Sequence, residues 1–401
     1  MPQNTFGGRK ANGLKYLLLT STALVGLGQP IAATAAETWT GAASTDWFTA
    51  GNWSPGSVPS AADNVTINTI AINPTVINAG NAFAAGLTIA DGFSSTSNLT
   101  ISNAGTLTSQ DGTLAYSATA NASATVTGAG SSWSTFANFV VGYGGTGTLD
   151  VASGGVVNDL NSFVGYVSGS SGTATVDGAG SQWNSTGNLY VGLGGTGSVT
   201  VSNGGLLSDD LANIGGGSSA SGTVVVTGAG STWTNSSQVT VGDQGTGFLD
   251  IFTGATVTDV TGIVAANTGS HGTVNVSGAG STWTNSGDLT VGQSGAGTMT
   301  VSAGGKVTSG ALYVGYSGTG TLDITNGGAV TNSDGYLGYI SGSSGTATVD
   351  GAGSTWQGGH LSIGTQGAGA LTISNGGAVS LSNSGTIADG LGSSGSLTVD
   401  G

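Results

Sequence analysis

Val141-Gly142-Tyr143-Gly144-Gly145-Thr146-Gly147-Thr148-Leu149-Asp150-Val151, with Gly154-Gly155-Val156-Val157 just beyond, is the stretch that decides the fold. It holds an apolar residue, a glycine-rich bend, a short run alternating polar and apolar residues, a Gly-Gly turn and a further short apolar run. Alternation with period two is the signature of a strand with one buried face. The strands are too short to be stable alone, so they must pair with copies of themselves.

Those copies are present. The apolar residue recurs as Val141, Val164, Val191, Ile214, Val241, Val264, Val291, Val314, Leu337, Ile363 and Ile387, usually followed by Gly. The steps between them mostly alternate between a shorter and a longer one. A longer motif, Gly-Ala-Gly-Ser-x-Trp, places Trp133, Trp183, Trp233 and Trp283 at intervals of 50 and Trp356 a further 73 on. The 50-residue unit is therefore a short unit plus a long one, and the wider gap contains one extra short unit. Whole units are inserted without loss of phase in a stacked solenoid. A β-propeller blade of similar length would be left half-built, and a β-sandwich gives no reason for the repeat. The expected fold is all-β, a right-handed parallel β-helix with roughly 23–27 residues per coil, within the range of solenoid repeats. Each coil should hold three strands. Its aliphatic side chains point inward, and Ser, Thr and Asn point out.

Composition supports an exported repeat protein. Of 401 residues 78 are Gly, none is Cys and only 6% are charged, with a formal net charge of −15. Collagen would need Gly at every third position, and a disordered chain would lack the β-branched alternation. Arg9, Lys10 and Lys15 precede the apolar run Tyr16 to Leu27, and Ala33-Thr34-Ala35 supplies small residues for cleavage. Residues 1–36 are expected to be a secretory signal peptide. After them Lys306 is the one basic residue. Such a chain is expected to bind no nucleic acid, because phosphate recognition depends on Lys and Arg.

Residues 37–86 are expected to form an atypical N-terminal cap, with Trp39, Trp47 and Trp53, and the first strands. Residues 87–401 are expected to form the coil array, roughly a dozen coils. The final Gly395-Ser396-Leu397-Thr398-Val399-Asp400-Gly401 matches Gly172 to Gly178. The natural protein is thus expected to be longer, or this chain a fragment.

The leader, the segment Asp46-Trp47-Phe48-Thr49-Ala50-Gly51-Asn52-Trp53-Ser54-Pro55-Gly56 and the units of form Val-Gly-x-x-Gly-x-Gly-Thr-Leu-x-Val-x-x-Gly-Gly-x-Val resemble autotransporter passenger domains of Gram-negative bacteria. The resemblance covers nearly the whole mature chain. It implies type V secretion, display at the outer-membrane surface or release, and a downstream translocator β-barrel, which this chain does not contain. The implied role is a structural stalk or adhesin. Partners would be a host surface protein, a glycan or further copies of the chain.

Catalytic chemistry has few carriers. His271 and His360 lie far apart, in different phases of the repeat, and His271 is expected in a surface bend. Asp150, Asp250 and Asp323 share one phase, and Asp177, Asp350 and Asp400 another. Sister units hold Thr or Ser there, which indicates a solvated face. Gly144-Gly145-Thr146-Gly147-Thr148 begins a calcium nonapeptide, but Leu149 stands where Asp is required. No catalytic residue, cofactor or metal site is therefore assigned. A carbohydrate-active β-helix enzyme and an S-layer-like matrix protein are the alternatives. The candidate ligand-contact row is Trp133, Trp183, Trp233, Trp283 and Trp356. Exposed, these rings could stack on sugars or on a host protein; turned inward, each would seal its own Gly-Ala-Gly bend.

Overall fold

The computed structural model describes residues 36–68 and 73–401, so the leader expected at residues 1–36 lies, except for its last residue, outside the described residues. The rest is a parallel β-solenoid of about fourteen turns. Among the described residues the one helical element is a single 3-10 turn, Ala50–Asn52.

Two neighbouring coils illustrate the array. One runs Thr146–Ala152, Val156–Asp159, Asn161–Val164. The next runs Ser171–Asp177, Gln182–Ser185, Asn188–Val191. Each has a first strand of seven residues and two strands of four. The first strands stack, residue on residue, into a parallel sheet of fourteen; the second and third strands make up the other sheet.

The coil length is more regular than the sequence suggested. First strands begin at Thr96, Asn121, Thr146, Ser171, Thr196, Ser221, Thr246, His271 and Ala296, a constant step of 25. The alternation of shorter and longer steps arises because Val141 and its relatives do not open a unit; they end the third strand, and all but the exposed Ile387 are buried in the core. The coils of Trp133, Trp183, Trp233 and Trp283 use a four-residue first turn and two linking residues before that landmark, then only four residues back to the next first strand. The coils between them use three, one and six; the Trp356 coil has a single linking residue, Gly359, and the coil after it has two. The linkers thus compensate, and the sheet never slips. The shortest coil, 296–318, takes the shorter choice at every corner.

The Gly-Ala-Gly-Ser turn has a specific construction. Gly178 and Gly180 adopt φ of +90° and +85°, where an L side chain is strained. Ser181 is fully buried. Its hydroxyl donates to the Asp177 carbonyl at 2.6 Å and accepts the Gly154 N–H of the preceding coil at 3.0 Å. Ser231, Ser281 and Ser354 repeat both bonds. Each such serine ties two coils together at a corner that the sheets leave unpaired.

A second class of glycine sits in the first strand itself. Gly172 faces inward, and a Cβ there would lie 2.2 Å from the Val141 carbonyl oxygen and 2.5 Å from the Gly165 nitrogen. The backbone of the incoming third turn passes so close that no side chain fits. Gly147, Gly197, Gly222 and Gly247 share the column.

At the N-terminus Glu37–Trp39 pairs antiparallel with Trp53–Ser54 and parallel with Asn64–Ile67. Trp39, Trp47 and Trp53 pack edge to face, with centroids 4.9 and 4.6 Å apart. Asn52 is fully buried and fully paired: its Oδ1 accepts the N–H groups of Ala43 and Ser44, and its Nδ2 donates to Ser44 and to the Asp46 carbonyl. Regular coil strands begin at Asn64–Ile67 and Thr75–Asn78, before residue 87.

Gly172→Ala is expected to lower the urea midpoint far more than Gly169→Ala. Gly169 has a positive φ, but a Cβ there meets nothing within 4 Å, so its cost is the backbone term of about 1 kcal/mol. Equal losses in equilibrium denaturation would contradict the close-approach account.

Candidate functional site: the aromatic columns inside and outside the solenoid

The tryptophans predicted as a ligand-contact row are in the core, and that expectation is corrected. Trp133, Trp183, Trp233 and Trp283 are 0% exposed and Trp356 is 1% exposed. Each is the second residue of its second strand, where the pleat points inward. In register above and below lie Leu107, Val157, Leu207, Val257, Val330 and Val379. The column therefore alternates indole and aliphatic, coil by coil, except between Trp283 and Trp356, where Val307 and Val330 follow one another.

The indole needs space, and the preceding coil provides it. The second residue of the third strand is Gly112, Ser162, Ala212, Gly262 or Gly335 in the coil before each Trp, and Phe139, Leu189, Val239, Leu289 or Leu361 in the Trp coil itself. A Cβ on Gly262 would sit 2.8 Å from Trp283 Cζ2, and one on Gly335 3.1 Å from Trp356 Cζ2. The 50-residue repeat is thus a two-coil packing unit, with a large ring in one coil lying over a small residue in the other. The inserted coil 296–318 has Val307 and Leu312 at these places and joins no such pair.

Burying an indole also buries an N–H, which needs an acceptor. Each Nε1 finds one in the coil before. Trp133 donates to Ser109 Oγ at 3.1 Å, Trp183 to Asp159 Oδ2 at 2.7 Å, and Trp233 to Asp209 Oδ2 at 2.5 Å. Trp283 donates to Asp259 Oδ2 at 3.3 Å and Trp356 to Asn332 Oδ1 at 2.6 Å. The acceptors belong to a continuous inward polar column at the end of the second strand. It runs Ser109, Thr135, Asp159, Ser185, Asp209, Asn235, Asp259, Asn285, Ser309 and Asn332, all buried.

Three carboxyl groups thus sit in the core. Burial pushes Asp209 and Asp259 up to about 7, against hydrogen bonds that pull the other way, from Trp233 and Asn235 to Asp209 and from Trp283 to Asp259. Asp159 is raised for the same first cause, opposed by Trp183, Ser162 and Ser185. Asp210 and Asp159 add like charge against Asp209, and Asp209 adds it against Asp259. Sequence reasoning missed this column. The signal was there: Asp159 stands two residues after inward Val157, so the same pleat turns it inward.

The aspartates singled out from the sequence lie on the outer face of the first-strand sheet, where Asp177, Asp250 and Asp350 cross-link coils. Asp177 accepts from Ser202 and Asn203, each at 2.6 Å, and Asp350 from Ser374 and Asn375, each at 2.6 Å. Asn275 donates to Asp250 at 2.7 Å. Asp150 and Asp323 occupy the Asp250 position of their own coils, and Asp400 pairs with Ser374. His271 begins a first strand beside Thr246 and Ala296 rather than sitting in a bend. His360 lies on the third strand with its Nδ1 2.8 Å from Ser384 Oγ. The histidines are not brought together, and no group of three His, Cys, Asp or Glu side chains converges among the described residues.

The exterior carries a second aromatic array. Every tyrosine in the described residues lies in one of two adjacent columns along a single edge. One column is the third residue of the third strand: Phe163 over Tyr190, and Tyr313 over Tyr336. The other is the turn residue three positions later: Tyr116, Tyr143 and Tyr166, then Tyr316 and Tyr339. Ring centroids repeat at 4.7 to 5.3 Å within and between columns. In the second patch the two columns are set at 70–77° to one another. Burial, then Asp288 and the neighbouring tyrosines, pushes the Tyr313 phenol up to about 12, which keeps it a neutral donor. Its sequence mark is aromatic-apolar-Gly-Tyr: Phe163 to Tyr166, Tyr313 to Tyr316, Tyr336 to Tyr339.

A family model described as a domain of unknown function (DUF8693) matches residues 38–131, less than a quarter of the chain. The match spans the three-tryptophan cluster and the first coils. Comparison with curated proteins and with solved structures gives no match.

Two outcomes test the interior. A carboxyl whose folded pKa is raised adds stability that is complete below its unfolded value near 3.8 and is lost as pH climbs through about 7. The unfolding free energy should therefore fall as pH rises from 4 past 7, by up to about 4 kcal/mol for each such group. Asp209→Asn should flatten that slope, and an unchanged slope in the variant would refute the assignment. In a double-mutant cycle, Gly112→Leu and Trp133→Leu should each destabilise, while the pair should recover about 1–3 kcal/mol of the summed loss, since Trp133 Cζ2 is the atom nearest a Cβ at Gly112, at 2.8 Å. Simple additivity would show that the ring does not occupy the space over Gly112.

Proposed function

We propose that the chain is a non-catalytic rod, secreted or displayed at the cell surface as an autotransporter passenger, and that it works as a stalk or adhesin. The observation that supports this reading is the unbroken register of the fourteen first strands. At about 4.8 Å per coil they span roughly 65 Å. The outer face of that sheet is hydroxyl- and amide-rich, with Thr148, Thr173, Ser198 and Thr223 in one row. Such a surface stays hydrated with few charges and holds one end of the molecule at a fixed distance from the other.

The leader and repeat grammar described above support export. The lack of cysteine suits a chain that crosses two membranes unfolded, since it has no disulfide to reduce. Folding coil by coil on an existing end, with each new coil closing on the one before it, needs no distant contacts.

Small-angle X-ray scattering of the mature chain should give a pair-distance distribution with a short peak and a long linear tail, as from a slender prism. A symmetric bell would contradict the rod. Proteinase K added to intact cells making the protein from its own gene should remove it from the surface, unless the protein is already free in the medium. Retention in a protected compartment would contradict display.

A further inference from the structure

We propose that the tyrosine-bearing edge is a binding surface for an extended, neutral glycan chain lying along the solenoid axis. This rests on the adhesin side of the proposed function and names its ligand class, whereas the rod itself depends on dimensions and location and not on binding.

The placement of the tyrosines is the first ground. All eight tyrosines among the described residues fall on one edge, although outward positions are available on three faces of every coil. Elsewhere the same two columns hold Asn213, Thr240, Thr290 and Asp243. Packing does not require phenols at these outward sites, since threonine serves in sister coils.

Geometry is the second ground. Tyr313, Tyr316, Tyr336 and Tyr339 are partly exposed and packed against one another, with centroids at 4.9 to 5.3 Å. Rings already held by neighbours lose little freedom on binding, and a phenol offers an apolar face and a polar tip together. Within each column the rings stack, and the two columns are set at 70–77° to one another, so a ligand along the axis meets a repeating row of ring edges and hydroxyls in two orientations. The rings repeat at the coil spacing, which suits a ligand that also repeats along its length, such as a flat-ribbon polysaccharide.

Charge selects among such ligands. Asp288 and Asp334 act on Tyr313 and Tyr336. Asp288 uses one oxygen to accept the Ala311 N–H at 2.9 Å. The described residues contain one Lys or Arg side chain, Lys306, in a chain of formal charge −15. Anionic glycans, nucleic acid and acidic headgroups are repelled, whereas neutral sugar hydroxyls find carboxylate acceptors beside the rings. The first patch, with Tyr143, Tyr166, Phe163 and Tyr190, lies on the same line. Between the patches Asn213 and Asn267 donate to Asp243 at 2.9 and 2.7 Å, which continues the edge as a polar strip.

Native affinity electrophoresis of the mature chain tests this, with hydroxyethylcellulose as the neutral β-glucan and polygalacturonate as the anionic control. The wild type should be retarded by hydroxyethylcellulose and not by polygalacturonate. Tyr313→Ala/Tyr336→Ala should weaken the retardation at least tenfold. Tyr316→Ala/Tyr339→Ala, in a surface turn, should weaken it too and serves if the strand variant misfolds by circular dichroism. No retardation by the neutral glucan, equal retardation by both polymers, or retardation untouched in a folded variant would overturn the proposal. Self-association that the same variants abolish, without retardation by the glucan, would overturn it in favour of a second copy of the chain. Scattering from every folded variant stays rod-like, so the two readings fail separately.

Discussion

An indole ring placed in a dry interior brings with it an N–H that must be paired. In this solenoid that requirement falls on the coil before: it leaves a gap with Gly, Ser or Ala and supplies the accepting oxygen from the end of its own second strand. Neither coil is complete without the other. The ring without its gap would collide with the third strand, and the gap without its ring would be a cavity. The sequence therefore repeats over two coils although the backbone repeats over one. The inserted coil, which has neither ring nor gap, can be added singly without disturbing its neighbours.

Corner chemistry follows from the same pairing. A coil with the ring enters its second strand through a four-residue turn whose serine is buried and bonded to the coil before. The extra residues spent there are recovered in the return turn, so the first-strand sheet keeps a constant register. The inward glycines of that sheet mark where the return turn presses on it. Constant spacing at one face is thus achieved by compensating lengths at the three corners.

Much of this was legible in the sequence. Period-two alternation marked the strands, and in-phase insertion of a unit marked the solenoid. Interchange of Asp177 with Thr227 and Ser277 marked a solvated ladder. Three things were hidden, each for a physical reason. Val141 and its relatives were conspicuous, but they sit between linkers of unequal length and so reported a false alternation in coil size. The tryptophans follow a four-residue turn where sister coils have three, so counting from the first strand does not fix their side; their register with Val157 does. Asp159, Asp209 and Asp259 have inward parity as well, but a carboxylate is expected outside unless its partner is known, and that partner is the tryptophan of the next coil. The tyrosine edge escaped notice because it is divided between a strand and the turn after it. Only the closed coil makes those positions neighbours.

The interlocking of ring, gap and acceptor is tested most directly by the indole protons themselves. In a deuterated sample labelled with ¹⁵N-tryptophan, the Nε1–H groups of Trp133, Trp183, Trp233, Trp283 and Trp356 should exchange with solvent as slowly as the strand amides. Those of Trp183, Trp233 and Trp283 should also shift as their buried carboxyl partners ionise, for the last two as the pH passes about 7. Those of Trp133 and Trp356, held by Ser109 and Asn332, should not. Rapid exchange of these protons, or the same pH response from all five, would contradict the account.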